Sequence, residues 1–180
     1  MFTILRSVQR LVGLFEDKNI PYMIIGGYAL PFFGRIRTTI DLHLAVGIKT
    51  QEELIQLCDL LQLMDFEANI SSPLNTPIII LDRKEKVETE LWLKPDGIVF
   101  DEETLRRRRK IKMDIDIEAW IVSPEDFIVN KLARSDRGAT DEQDVKSVLV
   151  RQEGKLDQEY LEKRAEDAGV FTILERIRTA

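Results

Sequence analysis

One stretch of the sequence, residues 22–46, constrains the fold more than any other. It begins with a short apolar run, 22–25, that is broken by Gly26 and Gly27. Further on, apolar side chains occupy every even position from 40 to 46. A period of two residues predicts a β-strand over 39–46, because successive side chains of a strand point to opposite faces. The stretch therefore predicts two strands joined by a helical segment, which is short or kinked because it carries Pro31.

Two features of this stretch are typical of anion and metal binding. Gly26 and Gly27 end a strand where a helical segment begins, so backbone N–H groups are available and the missing Cβ lets a phosphate approach. On the alternating strand, Asp41 and His43 lie two residues apart on one face and can share a divalent cation. Each feature also has a non-functional interpretation. The Gly-Gly pair can mark only a turn, and Asp41 can be an edge-strand acid that faces water.

The order of these residues resembles the opening signature of the DNA polymerase β-like nucleotidyltransferase superfamily. Its members read Gly-Gly or Gly-Ser and then R-x-T-x-D-x-D. Arg37, Thr39 and Asp41 fit this pattern, and His43 stands where the second metal aspartate is expected. The small prokaryotic branch around the AbiEii-type toxin nucleotidyltransferases is the most similar. Residues 123–144 resemble the later family motifs S-P-E-D-L, K-L, R and D-x-x-D, so the resemblance covers about residues 20–150.

The resemblance implies a set of metal-binding and catalytic side chains. In the family, a third acid on a later strand is a metal ligand or a general base toward the acceptor hydroxyl. Glu88 matches that position, Glu90 shares its face and is the reserve candidate, and Asp114 and Asp116 rank third; each could instead be a solvated strand acid. The expected catalytic residues are Asp41, His43, Glu88 and Glu90. The expected ligands of Mg²⁺ or Mn²⁺ are Asp41, His43 and Glu88.

The resemblance also implies a nucleoside triphosphate site. Arg37 and Lys131 are the cations expected to reach the triphosphate. The expected nucleotide-binding residues are Gly26, Gly27, Arg37, Thr39 and Lys131. Four later residues match the family motif: Arg134, Arg137, Asp141 and Asp144. The alternative is that they form salt bridges between a pair of helices. For His43, the chain's only histidine, three interpretations stay open: an altered metal preference, a weakened enzyme, or a nucleotide-binding relic.

The remaining patterns predict the architecture. Apolar spacing predicts a helix over 3–18, and Thr50 with Glu53 has the spacing of a capping box at the start of a helix that ends near 63. Strands are predicted near 66–70, 78–81, 86–93 and 117–122, with a loop over 71–77. The run 78–81 is continuous and predicts a strand covered on both faces. From Ser123 onward four helices are predicted, with starts at 123, about 140, 157 and 170.

These elements predict an α/β (α+β) fold. We expect a mixed nucleotidyltransferase-type sheet with flanking helices, followed by a C-terminal helical segment. Residues 1–122 are the expected nucleotidyltransferase-like core, and residues 123–180 the helical segment packed on it.

Composition narrows the class of protein. Hydrophobic residues make up 44% and charged residues 32%, which is typical of a soluble globular chain without a membrane span. The single Cys58 excludes an internal disulfide and a thiolate zinc cluster, so a cytoplasmic setting is expected. A net charge of −6 disfavours binding of polyanions. The basic run 106–110 is either a solvated face or a local phosphate or RNA patch.

Two main functions follow. The first is a metal-dependent nucleotidyltransferase that moves an NMP from an NTP to a hydroxyl of RNA, protein or a small molecule. The relatives imply a toxin–antitoxin or defence setting, with an antitoxin-like protein or a second copy of the chain as partner. The alternative is a catalytically impaired module that keeps the fold and binds a nucleotide or a protein partner. A weaker third function is nucleic-acid binding through the run 106–110.

Overall fold

The computed structural model describes residues 2–39, 41–69 and 77–179. The predicted loop residues 71–76, and residues 40 and 70 of two predicted strands, lie outside this described part. The described residues form the strands β1 (Tyr22–Ile25), β2 (Leu42–Val46), β3 (Phe66–Asn69), β4 (Ile78–Asp82), β5 (Val87–Trp92), β6 (Arg109–Asp114) and β7 (Ile117–Ile121). They form the helices α1 (Phe2–Asp17), α2 (Gln51–Leu63), α3 (Glu102–Arg107), α4 (Pro124–Ala133), α5 (Ala139–Arg151), α6 (Gln158–Asp167) and α7 (Phe171–Arg178).

All seven strands belong to one mixed sheet, in the order β3-β4-β5-β2-β1-β7-β6. The pairs β2/β5 and β1/β7 are parallel. The pairs β3/β4, β4/β5 and β6/β7 are antiparallel. The predicted α/β fold with a mixed sheet is confirmed, and the strands predicted near 22–25, 39–46 and 86–93 share that sheet. No helix in the described part of the chain combines the length and the apolar character needed to cross a membrane.

The chain divides into two compact units. The first comprises Met1–Ile24, Ile40–Lys94 and Arg109–Ile121, and therefore holds α1, α2 and the sheet apart from Ile25 of β1. The second comprises Ile25–Thr39, Pro95–Arg108 and Val122–Ala180, and holds α3 to α7. The predicted boundary after residue 122 follows chain order, whereas these units interleave along the chain. That boundary stays a prediction.

In the first unit, burial in β5 follows the predicted alternation, whereas β4 lacks the predicted cover on both faces. Val87 and Leu91 are buried, and Glu88 on the opposite face is exposed. In β4, Ile80 is fully buried but Ile79 is 38% exposed, so the prediction of a strand covered on both faces was wrong. The reason is that β4 pairs antiparallel with both neighbours, and antiparallel strands can leave one face open to water.

Helix α1 is joined to the β4–β5 turn by a buried ion pair. The Arg10 guanidinium contacts the carboxylate of Asp82 and the carbonyl of Met64, and lies 4.5 Å from the ring centre of Phe66. Asp82 is fully buried. Burial alone would raise the pKa of its carboxyl, but hydrogen bonds from the Glu85 amide and from Arg10 outweigh that effect and hold the pKa below its ordinary value. Asp82 therefore stays ionised and fixes the turn against α1.

The segment after β1 is helical and short, as predicted. It consists of two single 3₁₀ turns, Gly26–Tyr28 and Leu30–Phe32. Pro31 has no N–H to donate, which agrees with the predicted short segment. The strand predicted from residue 39 begins at Leu42 instead.

Helix ends that sequence patterns predicted are present. The Thr50 side chain accepts from the Glu53 amide at 3.1 Å, and the Glu53 carboxylate accepts from the Thr50 amide at 3.2 Å, which completes the capping box of α2. Ser123 caps α4 by accepting from the Asp126 amide at 3.0 Å. Both starts use only contacts between residues close in the chain, so local chemistry specifies them.

The basic run 106–110 spans the end of α3 and the start of β6. Arg106 and Arg107 are in the last turn of α3, a helix that was not predicted, while Arg109 and Lys110 begin β6. Within the second unit the Arg107 guanidinium donates to Asp157 at 2.7 Å. The run thus divides between two elements, and part of its charge is compensated by neighbouring acids.

A buried hydrogen-bonded cluster joins α4 to α6 in the second unit. The Tyr160 hydroxyl donates to Asp126 Oδ1 at 2.8 Å, and the Ser123 hydroxyl donates to Asp126 Oδ2 at 2.8 Å. Burial raises the pKa of the Asp126 carboxyl to about 6, although the hydrogen bonds from Ser123 and Tyr160 and the charge of Arg164 oppose the rise, and Glu125 adds to it. The folded chain therefore holds a proton on Asp126 more tightly than the unfolded chain does.

The Arg10–Asp82 contact leads to a stability prediction. Asp82→Asn should lower the free energy of unfolding by about 2–4 kcal/mol, because the variant leaves Arg10 without its buried anion. Urea denaturation at neutral pH measures this. The matched control is Glu67→Gln, which breaks the exposed pair with Arg83 and should change stability by about 0.5 kcal/mol or less. Equal effects of the two variants would contradict the structural role of Asp82.

The Asp126 cluster leads to a prediction of pH dependence. A carboxyl whose pKa is raised in the folded state contributes stability at low pH that is lost as pH rises from about 4 to about 6. The free energy of unfolding of the wild type, relative to Asp126→Asn, should therefore fall by about 2–3 kcal/mol between pH 4 and pH 7. Urea denaturation of both proteins across this range checks it, and a constant difference between them would disprove it.

Candidate functional site

In the first unit, the parallel register of β2 and β5 brings two predicted site residues together. His43 pairs with Glu90, between the pairs Leu42 with Thr89 and Leu44 with Leu91. The Nε2 atom of His43 lies 3.3 Å from Oε2 of Glu90, and the two side chains are 21% and 31% exposed. One face of these strands therefore presents an imidazole beside a carboxylate.

A third side chain completes this group. The indole Nε1–H of Trp92 donates to Glu90 Oε2 at 3.0 Å, so the oxygen that faces His43 also accepts from Trp92. The alternation of β5 placed Trp92 on the same face as Glu90, but sequence reasoning assigned it no role. Its spacing of two residues from Glu90 was the available signal.

The other predicted acids of this unit are placed differently. Asp41 is exposed and directly precedes β2, and Glu88 is exposed on β5. Asp41 lies one residue before Leu42, and Glu88 lies one residue before Thr89, the residue that pairs with Leu42. The structure thus joins His43 to Glu90 and not to Glu88, the acid ranked first.

The acids ranked third lie elsewhere in the sheet. Asp114 ends β6 and Asp116 follows in the turn before β7, and both are exposed. Strands β1 and β7 separate β6 from β2, so these acids are not neighbours of His43 in the sheet.

The described donors do not form the predicted three-ligand metal set. Among the residues that the structure describes, no group of three or more His, Cys, Asp or Glu side chains is arranged to hold a metal ion. Mg²⁺ prefers an octahedral set of oxygen ligands, whereas His43 and Glu90 offer one nitrogen and one carboxylate. The ligands Asp41, His43 and Glu88, and the metal itself, stay predictions.

In the second unit, the glycine pair is required by the backbone and by a close neighbour. Gly26 has a φ of +69°, which side chains disfavour. A Cβ built on Gly27 would lie 2.7 Å from Oγ1 and 2.8 Å from Cβ of Thr39. Two predicted nucleotide-binding residues therefore pack directly together. The helical segment predicted after them consists of two single 3₁₀ turns.

The second unit also gathers the predicted phosphate-binding cations around buried carboxylates. Asp144 is fully buried, and its carboxylate accepts a hydrogen bond from Arg35 Nε at 2.7 Å. It also forms ion pairs with Arg37 Nε at 3.3 Å and Lys131 Nζ at 3.5 Å. Lys131 Nζ also donates to Asp141 Oδ1 at 2.7 Å. Three cations face two carboxylates, so this group carries one net positive charge.

The pairing explains how buried charges coexist there. Burial raises the pKa of Asp141, but hydrogen bonds from Lys131 and the Gly138 amide outweigh it and lower the pKa below its ordinary value. Because Lys131 is in α4 and Asp141 is in α5, the contact joins the two helices, as the salt-bridge alternative predicted. Arg35 was not predicted, although its spacing from Arg37 was the available signal.

The remaining arginines of the later motif have their own partners. Arg134 donates from Nε and Nη2 to the two oxygens of Asp136, at 2.9 and 2.8 Å. Arg137 donates to the carbonyl of Leu132 at 2.6 Å. Of the four motif residues, the two aspartates therefore contact Lys131, and the two arginines have other partners.

Sequence comparison places the chain in a family. Residues 1–179 match the family described as "Nucleotidyltransferase of unknown function (DUF6036)". The chain therefore belongs to this nucleotidyltransferase family, and the predicted superfamily is confirmed. No functionally curated protein matches the sequence. The AbiEii-type branch stays a prediction.

Solved structures with a similar fold include a nucleotidyltransferase-like protein and an antibiotic adenylyltransferase. An antigenic nucleotidyltransferase-like protein from Paracoccidioides brasiliensis is 22% identical, with a TM-score of 0.55 over 98% of this chain and 92% of that one. The lincosamide antibiotic adenylyltransferase LnuA is 14% identical, with a TM-score of 0.52 over 79% and 94%. ANT(2'')-Ia is 13% identical, with a TM-score of 0.56 over 99% of each chain. At these identities the similarity establishes the fold.

The approach of Gly27 to Thr39 leads to a prediction. Gly27→Ala should lower the free energy of unfolding by about 1–3 kcal/mol, because the added methyl group would overlap the Thr39 side chain. Urea denaturation measures it. The control is Gly13→Ala in α1, where no atom lies within 4 Å of the added Cβ and stability should rise by about 0.5–1 kcal/mol. A stabilising Gly27→Ala would contradict the packing.

Proposed function

We propose that this protein transfers a nucleoside monophosphate from an NTP to an acceptor hydroxyl, with His43 and Glu90 at the reacting face. One observation carries the proposal: in a chain of a nucleotidyltransferase family, the β2–β5 register sets His43 Nε2 3.3 Å from Glu90 Oε2. Asp41 precedes His43 by two residues and belongs to the same proposed face.

The reaction assigns a role to this pair. The acceptor oxygen forms a bond to the α-phosphorus, the bond from that phosphorus to the bridging oxygen breaks, and pyrophosphate leaves with the electron pair. The acceptor proton must pass to a base, and the Glu90 carboxylate beside His43 is that base in our proposal. In our proposal Glu90 therefore takes the place of Glu88 as the carboxylate that accepts the acceptor proton.

The second unit supplies the proposed phosphate-binding groups. Arg37 and Lys131 belong to a group with one net positive charge, because Asp141 and Asp144 neutralise two of its three cations. A triphosphate would therefore compete with Asp144 for both cations. Gly26, Gly27 and Thr39 complete the proposed nucleotide site.

The divalent cation is part of the proposal as a requirement to be tested. Mg²⁺ accompanies NTPs and prefers oxygen donors, whereas an imidazole such as His43 is better suited to Mn²⁺ and later transition metals. We therefore propose Mn²⁺ as the better cation for the wild type and Mg²⁺ for a variant that has a carboxylate at position 43.

For the acceptor, we propose a small-molecule hydroxyl as the first class to test. LnuA was solved with lincomycin, and ANT(2'')-Ia was solved with adenylyl-2''-tobramycin. RNA and protein hydroxyls are the next classes. The toxin–antitoxin setting, an antitoxin-like partner or homo-oligomer, and a cytoplasmic location are proposals that follow from the resemblance and the composition.

A specific observation favours the alternative function. A histidine replaces the second family aspartate, and the described part of the chain contains no three-ligand group. A module that binds a nucleotide or a protein partner without catalysis would have these features. The experiment below separates the two functions.

The test is transfer of α-³²P-labelled ATP, CTP, GTP and UTP with Mg²⁺ or Mn²⁺ to lincomycin, tobramycin, total RNA or the protein itself. The wild type should transfer label, and Glu90→Gln should reduce kcat by about 100-fold or more because the general base is lost. Glu67→Gln, an exposed strand glutamate in the same unit, should leave kcat unchanged.

Two variants of His43 refine the result. His43→Ala should lose Mn²⁺-dependent transfer, and His43→Asp should transfer better with Mg²⁺, because a hard oxygen ligand replaces a nitrogen. Calorimetry with each NTP and metal measures binding independently of the acceptor. A wild type that binds nucleotide without transfer supports the non-catalytic module. A wild type and His43→Asp that bind no nucleotide with either metal support a protein-partner module.

A further inference from the structure

We infer that Trp92 is a positioning residue for Glu90: its indole N–H fixes the carboxylate beside His43. The inference rests on the proposed function for its catalytic consequence, but its geometry can be tested without a substrate. Glu90 Oε2 accepts from Trp92 Nε1 at 3.0 Å and lies 3.3 Å from His43 Nε2. One oxygen thus joins an aromatic donor to the imidazole.

The backbone determines which side chains meet. Trp92 and Glu90 are two residues apart on β5 and share a face. The register with β2 sets Glu90 opposite His43 and Trp92 opposite Ala45. Because Ala45 carries only a methyl group, that strand position leaves room for the large indole of its neighbour. The arrangement therefore depends on main-chain pairing rather than on a mobile loop.

The chemistry of the donor matters as well. The indole N–H can only donate, and it is neutral. It can therefore orient the Glu90 carboxylate without neutralising it, whereas an arginine or lysine at position 92 would form an ion pair. The ionised carboxylate is the form that the proposed role as proton acceptor requires.

Glu88 provides an internal contrast. It lies on the same strand and the same face, but it is exposed, and no side chain in the described part of the chain donates to it. A solvated glutamate samples several rotamers, and ordering it costs entropy. The indole donor thus distinguishes Glu90 from Glu88, which sequence reasoning ranked first.

Glu90 lies between two side chains, His43 and Trp92, whose nitrogen signals can be followed by NMR. The chain has one histidine and two tryptophans, so an ¹⁵N spectrum contains one imidazole, that of His43, and two indole signals. We compare the wild type with Trp92→Phe, which removes the N–H and keeps an aromatic ring. Trp120→Phe is the matched control, because Trp120 is a half-buried aromatic on another strand, β7.

The spectra have clear expected results. In Trp92→Phe, the His43 imidazole ¹⁵N shifts should move at fixed pH, whereas Trp120→Phe should leave them unchanged. In Glu90→Gln, the Trp92 indole proton should shift upfield, because a neutral amide oxygen is a weaker acceptor than a carboxylate. The Trp120 indole signal should not move. The Glu90→Gln measurement tests the contact even if Trp92→Phe folds poorly.

Kinetics then test the catalytic consequence. Trp92→Phe should lower kcat by about 2- to 10-fold with the KM for NTP unchanged, because one hydrogen bond that orients the proposed base is lost. Unmoved His43 and Trp92 signals would overturn the positioning contact. Moved signals with unchanged kcat would overturn its catalytic role. A wild type without transfer would instead disprove the proposed function, and the spectra would still decide the contact.

Discussion

The parallel pairing of β2 with β5 is the constraint on which the candidate site depends. It joins two strands that lie far apart in the sequence and places His43 opposite Glu90. A shift of two residues along β5 would keep every side chain on its face and would place Glu88 or Trp92 opposite His43 instead. The imidazole would then have a different neighbour. The chemistry of this face is therefore specified by register rather than by residue types alone.

This dependence explains which features could be predicted from the sequence. The capping box of Thr50 and Glu53 and the start of α4 at Ser123 involve residues three positions apart, so local chemistry determines them. The alternation in β5 likewise predicted which side chains are buried. The alternation cannot distinguish Glu88 from Glu90, because both lie on the same face of β5. Only the pairing with β2 shows which of them lies opposite His43. The sequence pattern also could not show that β4 leaves Ile79 exposed, since that depends on the antiparallel neighbours.

Charge pairing in the second unit is a harder problem for the same reason. The sequence contains 26 basic and 32 acidic residues, so it is compatible with many different ion pairs. The structure selects Asp144 as the common partner of Arg35, Arg37 and Lys131. A buried carboxylate requires such partners, because an unpaired buried charge is costly. Family order identified Arg37 and Lys131 as cations of interest, but it did not show that both are already paired with an acid.

That pairing changes how the proposed triphosphate site would work. Free cations would attract a triphosphate with their full charge, whereas cations held by Asp144 give up part of it and are already oriented. Binding would then exchange one set of charge-assisted hydrogen bonds for another, and its free energy would be the difference between them. The same logic applies to Glu90, where a neutral indole donor orients a carboxylate and leaves its charge intact. The two units thus use opposite means of ordering a charged side chain. In the second unit a counter-ion orders the cations but neutralises part of their charge. In the first unit a neutral donor orders the proposed base, which keeps its charge.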